Sequence, residues 1–233
     1  MIRAAALGLS LWAAPVAADE PCRLALQLGF DISASVDAAE YRQQRDGIAA
    51  ALLAPEIISA FLDGPGPVAV SIFEWSGRFQ QHVVVDWTLV TSQGDLVAMA
   101  ERVMAQQRAS VDFPTAIGYA LGFAAQRFAA APDCLFRTID ISGDGANNDG
   151  FPPGAAYAHF DFAGVTVNGL AIGGASINIL DYFRQQVIHG PGAFVEYATS
   201  HDDFAAAFRR KLERELRVMI LGGLALPTGQ LPL

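Results

Sequence analysis

The chain has 233 residues, enough for one domain with a sizeable core and too few for more than two small ones. Hydrophobic residues make up 52% and charged residues 17%, which excludes a disordered tail. The net charge of −9 excludes a partner held through a phosphate backbone.

At the N-terminus, Arg3 precedes an apolar stretch from Ala4 to Pro15 that falls short of the ~18 residues a membrane span needs. Val16-Ala17-Ala18 supplies the small residues of a cleavage site. This predicts a signal peptide over 1–18, cleaved after Ala18, and a periplasmic or secreted mature chain. Its apolar runs are interrupted by charge or glycine, so no transmembrane segment is expected. Cys22 and Cys134 are the only cysteines, and an even count in an exported chain suggests a disulfide.

Leu24 to Phe30 (LALQLGF) is nearly continuous apolar, the pattern of a strand buried on both faces. The loop Asp31-Ile32-Ser33-Ala34-Ser35 follows. Asp37 and Glu40 then form a capping box for a helix that carries Tyr41, Arg45, Ile48 and Leu52 on one stripe and runs towards Pro55. After the Gly64-Pro65-Gly66-Pro67 turn, Val68 to Phe73 is a second strand, and His82 to Trp87 is a short edge strand. Asp95 to Gln107 is a helix with Leu96, Met99 and Val103 inward.

Thr115 to Phe128 is a helix apolar almost all round, with Gly118 and Gly122 placed for close backbone approach. Leu135 to Ile141 is a buried strand ending in Ser142-Gly143-Asp144-Gly145. Val165 to Ile172 and Phe194 to Tyr197 are two more strands, with a helix around Ile179 to Val187 between them. Asp202 is placed to cap a last amphipathic helix carrying Phe204, Phe208, Leu212, Leu216 and Ile220, which Gly222-Gly223 ends. Strands alternating with helices predict an α/β, doubly wound, mostly parallel six-stranded sheet, with one short antiparallel edge strand and helices on both faces. One domain over 19–221 and a tail over 222–233 are expected.

Ligands of such sheets sit beyond the carboxyl ends of the strands, where strand order reverses. There the sequence places Asp31, Ser33 and Ser35, then Thr115, then Asp144: two carboxylates and three hydroxyls from three loops. An all-oxygen set suits a hard cation such as Mg²⁺, with Mn²⁺ or Ca²⁺ as alternatives, and disfavours Zn²⁺ and Cu. Neutral hydroxyl ligands leave such an ion under-compensated and attractive to an external carboxylate. A capping role would explain Asp31 and Ser35 but not Thr115 and Asp144.

At these residues the chain resembles the von Willebrand factor A (vWA) domain family and its metal-ion-dependent adhesion site. It looks closest to an uncharacterised secreted or periplasmic bacterial branch (domain of unknown function 1194). The pattern Asp-x-Ser-x-Ser, a distant Thr and a distant Asp before Gly reads here as DISAS, Thr115 and Asp144. The resemblance implies that Ser33, Ser35 and Thr115 contact the ion through their hydroxyls, and Asp31 and Asp144 directly or through water. Ala34 stands where many members have Gly, and Gly143 where many have Thr. Family topology also implies that Cys22 and Cys134 share the opposite ends of two adjacent strands and form a disulfide, worth roughly 4 kcal/mol by loop-closure entropy.

Glu74 and Asp112 are outer-shell candidates, and Asp149 could extend an acidic rim. Asn147 and Asn148 are read as turn residues, and Trp75 and Phe113 as candidates for an aromatic border. His82, His159, His189 and His201 show no metal-ligand spacing and are read as surface or structural residues. The only lysine is Lys211, in the last helix. The reading is a non-enzymatic, metal-dependent binding module whose protein partner presents a carboxylate. The alternatives are a Mg²⁺-dependent, phosphatase-like hydrolase using the same site, for which Glu74 is the one base in view, and a scaffold whose metal stiffens three loops.

Overall fold

The structure, a computed structural model, describes residues 21–174 and 178–223. The expected signal peptide and the tail beyond Gly223 lie outside the described residues.

The strands are β1 (Cys22–Asp31), β2 (Val68–Trp75), β3 (Gln81–Val90), β4 (Cys134–Gly143), β5 (Val165–Ile172) and β6 (Val195–Ala198). They form one six-stranded sheet in the order β3-β2-β1-β4-β5-β6. Only β3 is antiparallel to its neighbour. The doubly wound sheet with one antiparallel edge strand is therefore present as expected. At ten residues, β3 is longer than the sequence suggested. Its register against β2 shifts on either side of Ile72, which breaks the period-two alternation that would have revealed its length.

Every residue of β1 is buried, which is why it reads as an unbroken apolar run. Leu24, Leu26, Leu28 and Phe30 face a core closed by α1 (Ala38–Leu52), α2 (Pro55–Leu62), α3 (Gln93–Ala105) and α7 (Phe204–Gly223). Ala25 faces the other core, closed by α4 (Ile117–Arg127), α5 (Pro153–His159) and α6 (Ile179–Tyr182). The expected capping box opens α1: Asp37 Oδ1 accepts from Ala39 and Glu40 N–H, while Glu40 Oε2 accepts from Asp37 N–H at 2.7 Å. Tyr41, Ile48 and Leu52 point inward, with Gln44 in place of the half-buried Arg45.

Two short helices were not expected. Pro55, read as the end of α1, is the first residue of α2, where its missing N–H costs nothing, and Pro153 opens α5 in the same way. A second correction concerns α7. A 3₁₀ turn, His201–Asp203, precedes it, and Asp203 rather than Asp202 braces this corner by accepting from Thr199 N–H at 3.2 Å. Asp202 instead accepts from Gln43 Nε2. Of the expected inward stripe, Phe204, Phe208, Leu212 and Leu216 are fully buried, and the side chain of Ile220 lies outside the described residues. The helix after β5 is one α-turn followed by a π-helical turn over Phe183–Val187.

Cys22 and Cys134 are register partners at the N-terminal ends of β1 and β4 and form the expected disulfide, with a Cα separation of 4.4 Å. The bond ties the two central strands at one end. The candidate site lies at the other.

Candidate metal centre

Strand order reverses about β1 and β4, so the crevice beyond their carboxyl ends is the switch point. Asp31 is the last residue of β1, and Asp144 follows the last residue of β4. Thr115 was expected inside a helix but sits two residues before α4 begins. Outside the helix, Thr115 turns its hydroxyl to Ser33 Oγ in the neighbouring loop.

The structure brings all five predicted residues together. Ser33 Oγ lies 3.1 Å from Thr115 Oγ1 and 3.2 Å from Ser35 Oγ. Ser35 Oγ donates to Asp144 Oδ1 at 2.7 Å, and Asp31 Oδ1 accepts the Ser33 N–H at 2.7 Å. Asp31, Ser33, Thr115 and Asp144 are buried, and Ser35 is exposed at the mouth. A pocket lined by Ala34, Ser35, Pro114, Thr115, Asp144, Gly145, Ala146 and Asn148 opens from this cluster to solvent.

The electrostatics are those of a site short of positive charge. Asp31 Oδ2 and Asp144 Oδ2 are both buried without a hydrogen-bond partner among the described residues. Burial, and then the charge of Asp144, push the Asp31 carboxyl up to about 7, against the pull of Ser33. Burial also raises Asp144, opposed by its bond from Ser35. Two desolvated carboxylates with free lone pairs are costly unless a proton or a cation compensates them. Their orphaned oxygens, together with the hydroxyls, fit a hard divalent ion. The donors are two carboxylates and three hydroxyls, all oxygen, and no cluster of three His, Cys, Asp or Glu side chains suited to a metal occurs among the described residues.

Residues outside the five hold these groups in place, and of these Arg108 and Gln44 were not singled out in the sequence. Arg108 donates to the Ile32 and Ser33 carbonyls, both at 2.9 Å, and fixes the DISAS loop. Ala34 N–H donates to Phe113 O, and Gln44 Nε2 to Asp31 O. Asn148 brackets Thr115: its side-chain oxygen accepts Thr115 N–H at 2.9 Å, and its own N–H donates to Thr115 O at 2.9 Å. Asn147 Oδ1 accepts from Gly118 N–H in the first turn of α4. The pair does shape the turn, as read, but the turn serves to aim Thr115. Gly118 also allows α4 to approach the backbone of Phe151. His201 is buried, with its Nδ1 3.2 Å from Glu40 Oε1. Of the four histidines, only this one is buried.

The remaining candidates lie elsewhere. Glu74 is buried, but its partners are Tyr41 Oη at 2.6 Å, Gln106 Nε2 and Ala109 N–H, not the five oxygen ligands. Asp112 is exposed, in a left-handed backbone conformation. Asp149 pairs with Arg78. Trp75 is not a border residue: it is wholly buried, beneath Gly143 and the end of β1, while Phe113 does stand at the rim. At Gly143 a Cβ would sit 2.9 Å from Asp31 Oδ2, so here the glycine makes room for the carboxylate.

The family described as "Protein of unknown function (DUF1194)" matches residues 21–220. The chain belongs to the DUF1194 family. No curated protein matches it. Among solved structures, the DUF1194 chain is similar to proximal thread matrix protein 1 from the mussel byssus (TM-score 0.58, 16% identity, covering 87% of this chain and 48% of that one). A second structure of the mussel protein, at 13% identity and TM-score 0.57 over 85% and 47% of the two chains, is described as having a zinc-occupied MIDAS motif. It is also similar to a von Willebrand factor type A protein from Catenulispora acidiphila (TM-score 0.61, 18% identity, 84% and 43% coverage). The DUF1194 chain spans about half the length of these proteins. At such identities the likeness establishes the fold, which is that of the vWA domain.

Proposed function

We propose that this protein is an exported binding module in which Asp31, Ser33, Ser35, Thr115 and Asp144 hold one divalent cation, Mg²⁺ foremost, that recruits a carboxylate from a protein partner. The observation that carries this reading is the pair of buried, unpartnered oxygens, Asp31 Oδ2 and Asp144 Oδ2, beside three linked hydroxyls. When bound, the cation supplies charge compensation for the two aspartates and an electrophilic point for an external anion. The chain supplies positioning, through Arg108, Asn148 and the capped start of α1.

The disulfide supports export to an oxidising compartment, and no described helix is long and apolar enough to cross a membrane. Glu74, the one base in view for a hydrolase, is engaged by Tyr41, Gln106 and Ala109, which favours binding over turnover. The test is calorimetric titration of wild type and Asp31→Ala with Mg²⁺ or Mn²⁺, followed by affinity capture from an envelope extract with Mg²⁺ or chelator. Wild type alone should bind the ion and retain a partner released by chelator. Equal metal binding by both proteins would remove the proposal.

A further inference from the structure

Away from the candidate metal centre, the chain buries a second charged cluster that the proposed function does not use. Lys211, on α7, is wholly buried, with its Nζ 2.6 Å from Asp140 Oδ2 on β4 and 2.7 Å from Glu215 Oε1 one turn further along α7. Asp140 and Asn168 are register partners on β4 and β5. Asn168 Nδ2 donates to Glu215 Oε1 at 2.7 Å, and Asn168 Oδ1 accepts from Phe194 N–H. The Phe194 ring lies 5.4 Å from the ammonium and flanks the cluster with apolar surface.

Lys211 is the only lysine among the 15 basic residues of the chain. An ion pair with two carboxylates is served as well or better by arginine, whose planar fork is always charged. Lysine offers what arginine does not: an amine that becomes a nucleophile once it gives up a proton. Burial supplies the conditions. With all three groups ionised the cluster carries an excess negative charge, and desolvation favours taking up one proton to reach neutrality. Burial lifts the Asp140 carboxyl to about 7 against the opposing charge of Lys211. Each carboxyl keeps one oxygen, Asp140 Oδ1 and Glu215 Oε2, without a hydrogen-bond partner among the described residues, but Glu215 Oε1 is oriented by two donors, Asn168 and Lys211, whereas Asp140 Oδ2 meets Lys211 alone. The roles therefore divide. Asp140 is the neutral acid, and Glu215 is the oriented carboxylate that receives a proton.

We infer that Lys211 and Asp140 condense in the folded chain to form an intramolecular isopeptide bond, with Glu215 as the proton carrier. Glu215 takes a proton from the Lys211 ammonium, and the freed amine pair attacks Asp140 Cγ. The new C–N bond forms as the C–O bond to the acid hydroxyl breaks. The hydroxyl leaves as water with a proton drawn from the nitrogen, and Glu215 ends protonated. Four exchangeable protons enter, three on Lys211 and one on Asp140. Four remain, one on the amide, two in water and one on Glu215. No oxidant or co-reactant is required. The ion-pair contact already holds the amine beside the carboxyl carbon, the proximity from which intramolecular reactions gain most of their advantage. The product clamps α7 to the interior of β4, one of the two central strands of the sheet.

The test is the intact mass of the purified full chain under denaturing conditions, once its N-terminus has been sequenced. The expected result is a mass one water below that of the disulfide-bonded sequence, with protease mapping yielding a branched peptide that joins Lys211 to Asp140. Glu215→Gln, shown to be folded by circular dichroism, should retain the full mass. Asp140→Asn should form the same amide with loss of ammonia. An undiminished wild-type mass would overturn the inference, as would a lost water that maps to a Lys211–Glu215 lactam or to any other site.

Discussion

The buried pair Asp31 and Asp144 makes a quantitative prediction about pH. In the unfolded chain Asp31 titrates near 3.8, and in the folded, metal-free protein it is raised to about 7, so between these values the folded state holds a proton the unfolded state has released. Stability due to this group is fully present below about pH 4 and is lost as pH rises to about 7, at about 1.4 kcal/mol per unit, or about 4 kcal/mol in all. Asp31→Asn keeps the shape and does not titrate. The comparison is urea unfolding of both proteins with chelator at intervals from pH 4 to pH 7.5. Wild type should fall relative to Asp31→Asn by a few kcal/mol across the range. Adding Mg²⁺ at pH 7 should restore wild type and leave the variant unchanged, because the ion replaces the proton as the compensating charge. Parallel pH profiles would refute the claim that Asp31 is held desolvated beside Asp144. The difference between the two proteins is the measured quantity, so contributions from groups common to both cancel.

Other expected outcomes follow from single contacts. Asn148→Ala removes the acceptor of the Thr115 N–H and should weaken Mn²⁺ binding about tenfold by titration, the equivalent of one neutral hydrogen bond, with little change in Tm. Gly143→Ala places a methyl group 2.9 Å from Asp31 Oδ2 and should cost about 1–3 kcal/mol in urea unfolding while lowering metal affinity. Replacing Cys22 and Cys134 together by alanine opens a loop with a sequence separation of 112 and should cost about 4 kcal/mol, with metal binding at the far end of the strands retained.

The sheet and the convergence of the five candidate residues were legible in the sequence because strands, caps and loops carry local signatures. LALQLGF is apolar without alternation, Asp37 and Glu40 form a capping box, and DISAS sits where a buried strand gives way to a helix. What was not legible depends on contacts between distant segments. Arg108 is one arginine among many until the DISAS carbonyls are seen to converge on it, and the burial of Trp75 follows from Gly143 on a strand far along the chain. The Asn147-Asn148 pair beside Asp144 was visible, but its bonds to Gly118 and Thr115 were not. Pro55 misled because proline both ends one helix and opens the next. Lys211 stood out by being the only lysine, yet its meaning appears only when β4 and β5 bring Asp140 and Asn168 beneath it.

The central claim, that one divalent cation is held by these five residues, is tested most directly by anomalous diffraction from crystals grown with Mn²⁺. The account predicts a single strong peak within coordination distance of the Ser33, Ser35 and Thr115 hydroxyls, next to Asp31 and Asp144, and its disappearance in Asp31→Asn. A peak elsewhere, or none at saturating Mn²⁺ in well-ordered crystals, would contradict it.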